Sequence, residues 1–176
     1  MHKFFYIIFF LFVSANCSFA SWTEYPEDKC IIDYQSSHLE YAYGSCFKNT
    51  SYLECMETSE YRIIQNDNFV IWVSYEIIKS NCRYIHSNFS TSSIKDYITI
   101  FPYIKDNFQS IKFDYVEKIN GDDAKIFEVN INSLDKCIAV GISSTKRRMR
   151  LSSTICGINS TSKSTLIDIA NSLSLD

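Results

Sequence analysis

Apolar residues follow two different spacings in the middle of the chain. Residues 69–78 are almost continuously apolar and rich in Val, Ile, Trp and Tyr, which is typical of a strand buried on both faces. Apolar residues then recur at helical spacing after the capping sequence 90–93; they are Ile94, Tyr97, Ile98, Phe101, Ile104 and Phe108. Pro102 lies inside this stripe and removes a helical hydrogen bond, so we expect it to kink or split the helix.

Two consecutive hairpins are predicted in the second half of the chain. Residues 111–119 and 124–132 form the first if paired positions sum to about 242, which places Phe113 opposite Val129 and leaves residues 120–122 as the loop. Residues 136–157 form the second around a turn at 145–148.

The second hairpin has one register that satisfies its apolar residues and its cysteines together. If paired positions sum to about 293, Ile138 faces Ile155 and Cys137 lies directly opposite Cys156. A slip by one residue would move the apolar set of one strand to the wrong face. The sequence therefore predicts a disulfide between Cys137 and Cys156.

Other segments complete a predicted α+β fold. A capping box at Ser51 and Glu54 predicts a helix over 52–58, and an apolar stripe predicts a final helix from Ser164. Residues 30–48 fit neither period cleanly. We expect one α+β domain over 21–176, a mainly antiparallel sheet of two consecutive hairpins with packed helices, braced by disulfides.

Residues 1–20 have the features of a secretory signal peptide. Lys3 precedes an apolar run over 4–13, and a small-x-small site ends at Ala20. The run is too short for a transmembrane helix, so we expect no stable membrane insertion. A lipoprotein signal ending at Cys17 is disfavoured by Ser14 and Asn16 before it. We therefore expect a secreted protein beginning at Ser21, with the periplasm as the alternative destination.

Removal of the signal peptide would leave six cysteines: Cys30, Cys46, Cys55, Cys82, Cys137 and Cys156. An even number in an exported chain indicates three disulfides, and the pairing of the first four stays open. No two of the six are separated by two to four residues, whereas zinc sites favour such close ligand pairs. We therefore predict neither a metal site nor a cofactor.

Motifs for catalysis are absent from the sequence. It contains no nucleophile elbow, zinc-protease motif, phosphate loop or dinucleotide fingerprint. His38 and His86 are the two histidines beyond the signal peptide, and we expect surface or structural roles for both. The sequence therefore predicts a protein that is not an enzyme. A small secreted hydrolase or enzyme inhibitor that uses one of these histidines is an alternative.

The distribution of charge suggests a docking surface. The net charge of −3 argues against a nucleic-acid partner, yet four cations, Lys146, Arg147, Arg148 and Arg150, cluster at a hairpin end. They are candidate binding residues for a host or envelope protein with an acidic surface. The alternative is that they keep the hairpin soluble and prevent edge pairing. Residues 21–60 hold eight acids and two bases, and this acidic first half is the second candidate surface.

Two resemblances extend this interpretation. Residues 121–124 (Gly-Asp-Asp-Ala) and the helix over 166–170 resemble features of PsbP-like and Mog1-like proteins, over residues 69–176. That resemblance implies a sheet flanked by helices and a binding or assembly role. The chain also has 24 Ile and 6 Ala, a composition typical of AT-rich genomes. With its signal peptide and disulfides, it resembles Sec-exported effectors of host-associated bacteria. We therefore expect a non-enzymatic effector or virulence factor that binds a protein; a periplasmic envelope or assembly factor is the alternative.

Overall fold

Ten strands, three short α-helices and one turn of 3₁₀ helix (Ser37–Leu39) lie in the part of the chain that the computed structural model describes, residues 22–25, 30–49 and 55–175. The strands are β1 (Trp22–Tyr25), β2 (Ile32–Tyr34), β3 (Tyr43–Asn49), β4 (Met56–Gln65), β5 (Phe69–Ile78), β6 (Phe108–Ile119), β7 (Asp122–Ile131), β8 (Cys137–Ser144), β9 (Met149–Gly157) and β10 (Leu173–Leu175). The helices are α1 (Thr91–Ile98), α2 (Pro102–Asn107) and α3 (Lys163–Asn171). The predicted signal peptide and its cleavage site lie outside the described residues.

The structure is mainly antiparallel β, so the α+β prediction is wrong. One eight-stranded sheet, in the order β1-β3-β4-β5-β9-β8-β7-β6, dominates, and β2 and β10 form a separate pair. The helices have only six to nine residues each. Strand β4 explains much of the error, because its buried face carries Glu60 and Arg62 instead of an apolar alternation. The helix predicted over 52–58 is also wrong where the structure describes it, since Met56–Thr58 belongs to β4.

Strand β5 lies near the centre of the eight-stranded sheet. It runs over Phe69–Ile78 with its first seven residues buried. Its odd-numbered side chains, such as Ile71 and Val73, enter one core, whereas Val70 and Trp72 enter the core on the opposite face. The prediction of a strand buried on both faces is confirmed.

The hairpin of β8 and β9 has the register that the sequence predicts. Ile138 pairs with Ile155, and Cys137 pairs with Cys156 to form a disulfide. Two further disulfides join Cys30 to Cys46 and Cys55 to Cys82.

The predicted register of the hairpin of β6 and β7 is wrong. Phe113 pairs with Phe127, not with Val129. The turn contains only Asn120 and Gly121, both at positive φ (51° and 81°), because Asn-Gly favours the tight two-residue turn. Two register shifts, between Phe113 and Tyr115 and between Phe108 and Ser110, then change which residues of β6 and β7 are paired.

Helices cover the two faces of the sheet. One core contains Ile94, Ile98 and Ile104 of α1 and α2, and the other contains Leu166 and Ile169 of α3. As predicted, the stripe over 94–108 is split into two helices, the second of which begins at Pro102. No helix among the described residues is long and apolar enough to cross a membrane.

Two charged side chains of β4 hold the segment around β2 against the sheet. The buried carboxylate of Glu60 accepts hydrogen bonds from the N–H groups of Ile31 and Ile32 (3.1 and 3.2 Å), and Lys48 Nζ lies 3.5 Å from it. Arg62 Nη1 donates to the carbonyl of Ile32 (2.6 Å) and to Asp33 (3.0 Å). Because these groups are largely out of water, each needs its partner to offset the cost of burial.

The Glu60 contacts generate a stability prediction. Glu60→Ala should lower the free energy of unfolding by about 3 kcal/mol, because two backbone N–H groups and a lysine lose their acceptor. Chemical denaturation monitored by fluorescence measures this change. Glu57→Ala is the matched control, since Glu57 lies exposed on the same strand, and it should change stability by no more than about 0.5 kcal/mol. Equal losses in the two variants would contradict a stabilising role for Glu60.

Candidate binding groove

A groove of about 710 Å³ lies on the sheet beside α1 and the connection to α2. Its size is in the range of ligand-binding clefts. Its lining is mostly apolar and aromatic, with Phe47, Tyr61, Ile63, Tyr97, Ile100, Phe101 and Pro102 among the lining residues. Ser59, Ser74, Glu76 and Asp96 supply its polar groups.

The sheet register aligns the floor of the groove. Glu24 pairs with Phe47, Phe47 with Tyr61, and Tyr61 with Ser74. Directly paired residues share a face of the sheet, so one row of side chains crosses β1, β3, β4 and β5. Space for a ligand remains above Ser59 and Ser74, because neither serine has the bulk to fill it.

Aromatic rings form one continuous cluster along this floor. Phe47 stacks on Tyr61 with ring centroids 4.6 Å apart, and Phe101 meets Tyr61 edge-on at 5.6 Å. Burial raises the pKa of Tyr61, and the charge of Glu24 raises it further. Burial also raises the pKa of Tyr97. Both phenols therefore stay protonated at neutral pH.

The helical wall is interrupted where the chain passes from α1 to α2. Pro102 begins α2, and Ile100 before it has 52% of its surface exposed. Ile100 therefore adds an accessible apolar side chain to the lining of the groove.

Two carboxylates line the groove, and a third lies beside it on β1. Glu76 is bonded to Arg150 (2.6 Å) across the pairing of β5 with β9. Asp96 is exposed on α1, and Glu24 is exposed on β1. Within the described residues, the carboxylates of Glu24 and Asp96 have no hydrogen-bond or ion-pair partner.

The cations predicted to form a docking patch mostly bind neighbouring groups of the same chain. Arg148 donates to the carbonyls of Ile78 (3.1 Å), Lys79 (2.7 Å) and Cys82. It thereby holds the loop that carries Cys82, the partner of Cys55. Arg148 thus has a structural role at the end of this hairpin.

The remaining members of the predicted patch differ in their contacts. Arg150 is bonded to Glu76, and Arg147 lies 3.5 Å from Asp122 and donates to the carbonyl of Asn120. Lys146 is exposed. The structure therefore does not bring the four cations together as a free surface, and their binding role stays a prediction.

His86 lies in a separate polar cavity of about 440 Å³. Its Nδ1 is 3.2 Å from the hydroxyl of Ser143 and 3.4 Å from that of Thr145. The Ser143 hydroxyl also accepts the N–H of Ser87 and bonds to Tyr84. Among the described residues, no carboxylate bonds to His86, so the serine and histidine lack the third group that would orient them for nucleophilic catalysis.

His38 and the cysteines offer no additional chemical site in the described residues. His38 is exposed, 6.2 Å from the ring of Phe69. Cys30, Cys46 and Glu60 place two sulfurs and a carboxylate within 4.8 Å of one another, but the sulfurs are bonded to each other. Neither sulfur is therefore a thiolate that binds a metal ion.

Reasoning from the sequence missed the groove because its residues lie far apart along the chain. Phe47 and Glu24 lie in the acidic first half, residues 21–60, which was the second candidate surface, and Tyr61 directly follows it. The signal that was available is the exposed break between two helices at Pro102. Comparison with protein-family models, curated proteins and solved structures found no match for the chain.

The Arg148 contacts generate the second stability prediction. Arg148→Ala should lower the free energy of unfolding by about 2 kcal/mol, because three carbonyls lose a charged donor. Lys146→Ala, two positions away in the same turn, is the matched control and should stay within about 0.5 kcal/mol. Thermal and urea denaturation measure both. If the two variants were equally stable, Arg148 would have no structural role, and the predicted docking patch would regain its strongest member.

Proposed function

We propose that this chain is an exported, disulfide-stabilised, non-enzymatic binding protein that holds part of a partner protein in the aromatic groove. The main support for this proposal is the groove, which has stacked rings, the exposed Ile100 and carboxylates beside it. Aromatic anchors in a partly enclosed site are the usual source of binding energy at protein interfaces.

Three disulfides support the exported location, because such bonds persist in oxidising compartments. The signal peptide predicted over residues 1–20 supports it too. Action as a bacterial effector on a host protein stays a prediction from the sequence. The contacts of His86 give no support to the alternative of a small secreted hydrolase.

The proposal predicts groove-dependent peptide binding. Selection from a random peptide library on the purified protein should yield binders, and Ser74→Leu should weaken them roughly tenfold by filling the groove. Ile100→Ser should weaken them about fivefold by removing an exposed apolar contact. Calorimetry or surface plasmon resonance measures the affinities.

Ile85→Ser is the matched control for Ile100→Ser, since Ile85 is 70% exposed and does not line the groove. Circular dichroism should show that all variants fold. Peptides that bind the wild type and both groove variants equally, or a library that yields no binder, would overturn the proposed function.

A further inference from the structure

Charge around the groove is unbalanced. Arg150 offsets Glu76 through their ion pair, whereas the carboxylates of Glu24 and Asp96 have no partner among the described residues. Glu24 is paired directly with Phe47, and Asp96 lines the wall opposite the sheet. Both carboxylates are exposed and would attract a cationic ligand, whereas a neutral ligand gains no such attraction.

The aromatic rings of the groove also favour a positively charged ligand. Faces of aromatic rings carry negative electrostatic potential and attract ammonium and guanidinium groups. Phe47, Tyr61, Tyr97 and Phe101 contribute four rings to the lining. Aromatic rings beside carboxylates are therefore the groups that would attract an organic cation with an apolar stem.

The length of the groove floor favours a polypeptide over a small amine. The row from Glu24 to Ser74 crosses four strands, and strands lie about 4.8 Å apart, so it spans roughly 14 Å. This is the length of about four residues of extended chain. A second copy of this protein is disfavoured as the occupant, because each chain has a net charge of −3.

We propose that the groove binds a basic segment of a partner protein, with Lys or Arg side chains held beside the rings, near Glu24 at one end of the row and near Asp96 on the helical wall. This inference rests on the proposed function. It reverses the charge of the partner expected from the sequence, because these two carboxylates, and not the hairpin cations, make the contact.

Charge-neutral variants test the role of the two carboxylates. The peptides selected on the wild type should carry Lys or Arg beside apolar residues. Glu24→Gln and Asp96→Asn should each raise the dissociation constant about threefold, and the double variant should raise it roughly tenfold. Added salt should slow association with the wild type more than with the double variant.

The controls keep the same chemical change away from the groove. Asp106→Asn on α2 matches Asp96→Asn, and Glu40→Gln matches Glu24→Gln, since Asp106 and Glu40 are exposed and do not line the groove. A selected peptide resynthesised with citrulline for Arg or norleucine for Lys should bind at least tenfold more weakly. Both controls should bind the original peptide as the wild type does.

The outcomes separate the inference from the proposed function. Neutral peptides that depend on Ser74 and Ile100, but not on Glu24 and Asp96, would overturn the basic partner and leave the binding function intact. An absence of groove-dependent peptides would overturn both. Self-association of the wild type that Ile100→Ser abolishes would identify a second copy as the occupant and overturn the inference.

Discussion

Strand β5 joins the two halves of the sheet through its pairing with β9, which extends from Phe69 opposite Gly157 to Ile77 opposite Met149. On one side lie β4, β3 and β1, and on the other lie β8, β7 and β6. Every side chain of β5 from Phe69 to Tyr75 is buried. Loss of this pairing would expose both cores, because the residues of β5 alternate between them.

The disulfides do not cross this junction. Cys30–Cys46 and Cys55–Cys82 lie in the first half of the chain, and Cys137–Cys156 lies in the second. Burial of apolar surface, backbone pairing and side-chain contacts, among them the Glu76–Arg150 ion pair and the Arg148 hydrogen bonds, therefore hold the halves together. The groove depends on the same junction, because its floor includes Ser74 and Glu76 of β5, and α1 forms its wall while packing across β5, β8 and β9.

The sequence reveals the parts of the fold that rest on local pattern. The continuous apolar run of β5, the register at Cys137 and Cys156 and the break at Pro102 are all as predicted. The fold of the first half cannot be predicted from local pattern, because Glu60 and Arg62 are buried against partners that are distant in sequence. The groove is likewise assembled when strand pairing brings Glu24, Phe47 and Tyr61 together. No local sequence pattern indicates this pairing. The α+β prediction is wrong mainly in this first half, whereas the binding role of the four hairpin cations stays a prediction.

The central claim is that the two disulfide-containing halves form one cooperative unit through β5 and β9. Native-state hydrogen exchange at increasing denaturant concentration tests it most directly, because it gives an opening free energy for each amide. The account predicts that amides of β5 paired with β9 open at the same free energy as amides of the β8–β9 hairpin, by global unfolding. Opening of the β5 amides at a clearly lower free energy, while the hairpin stays protected, would contradict it.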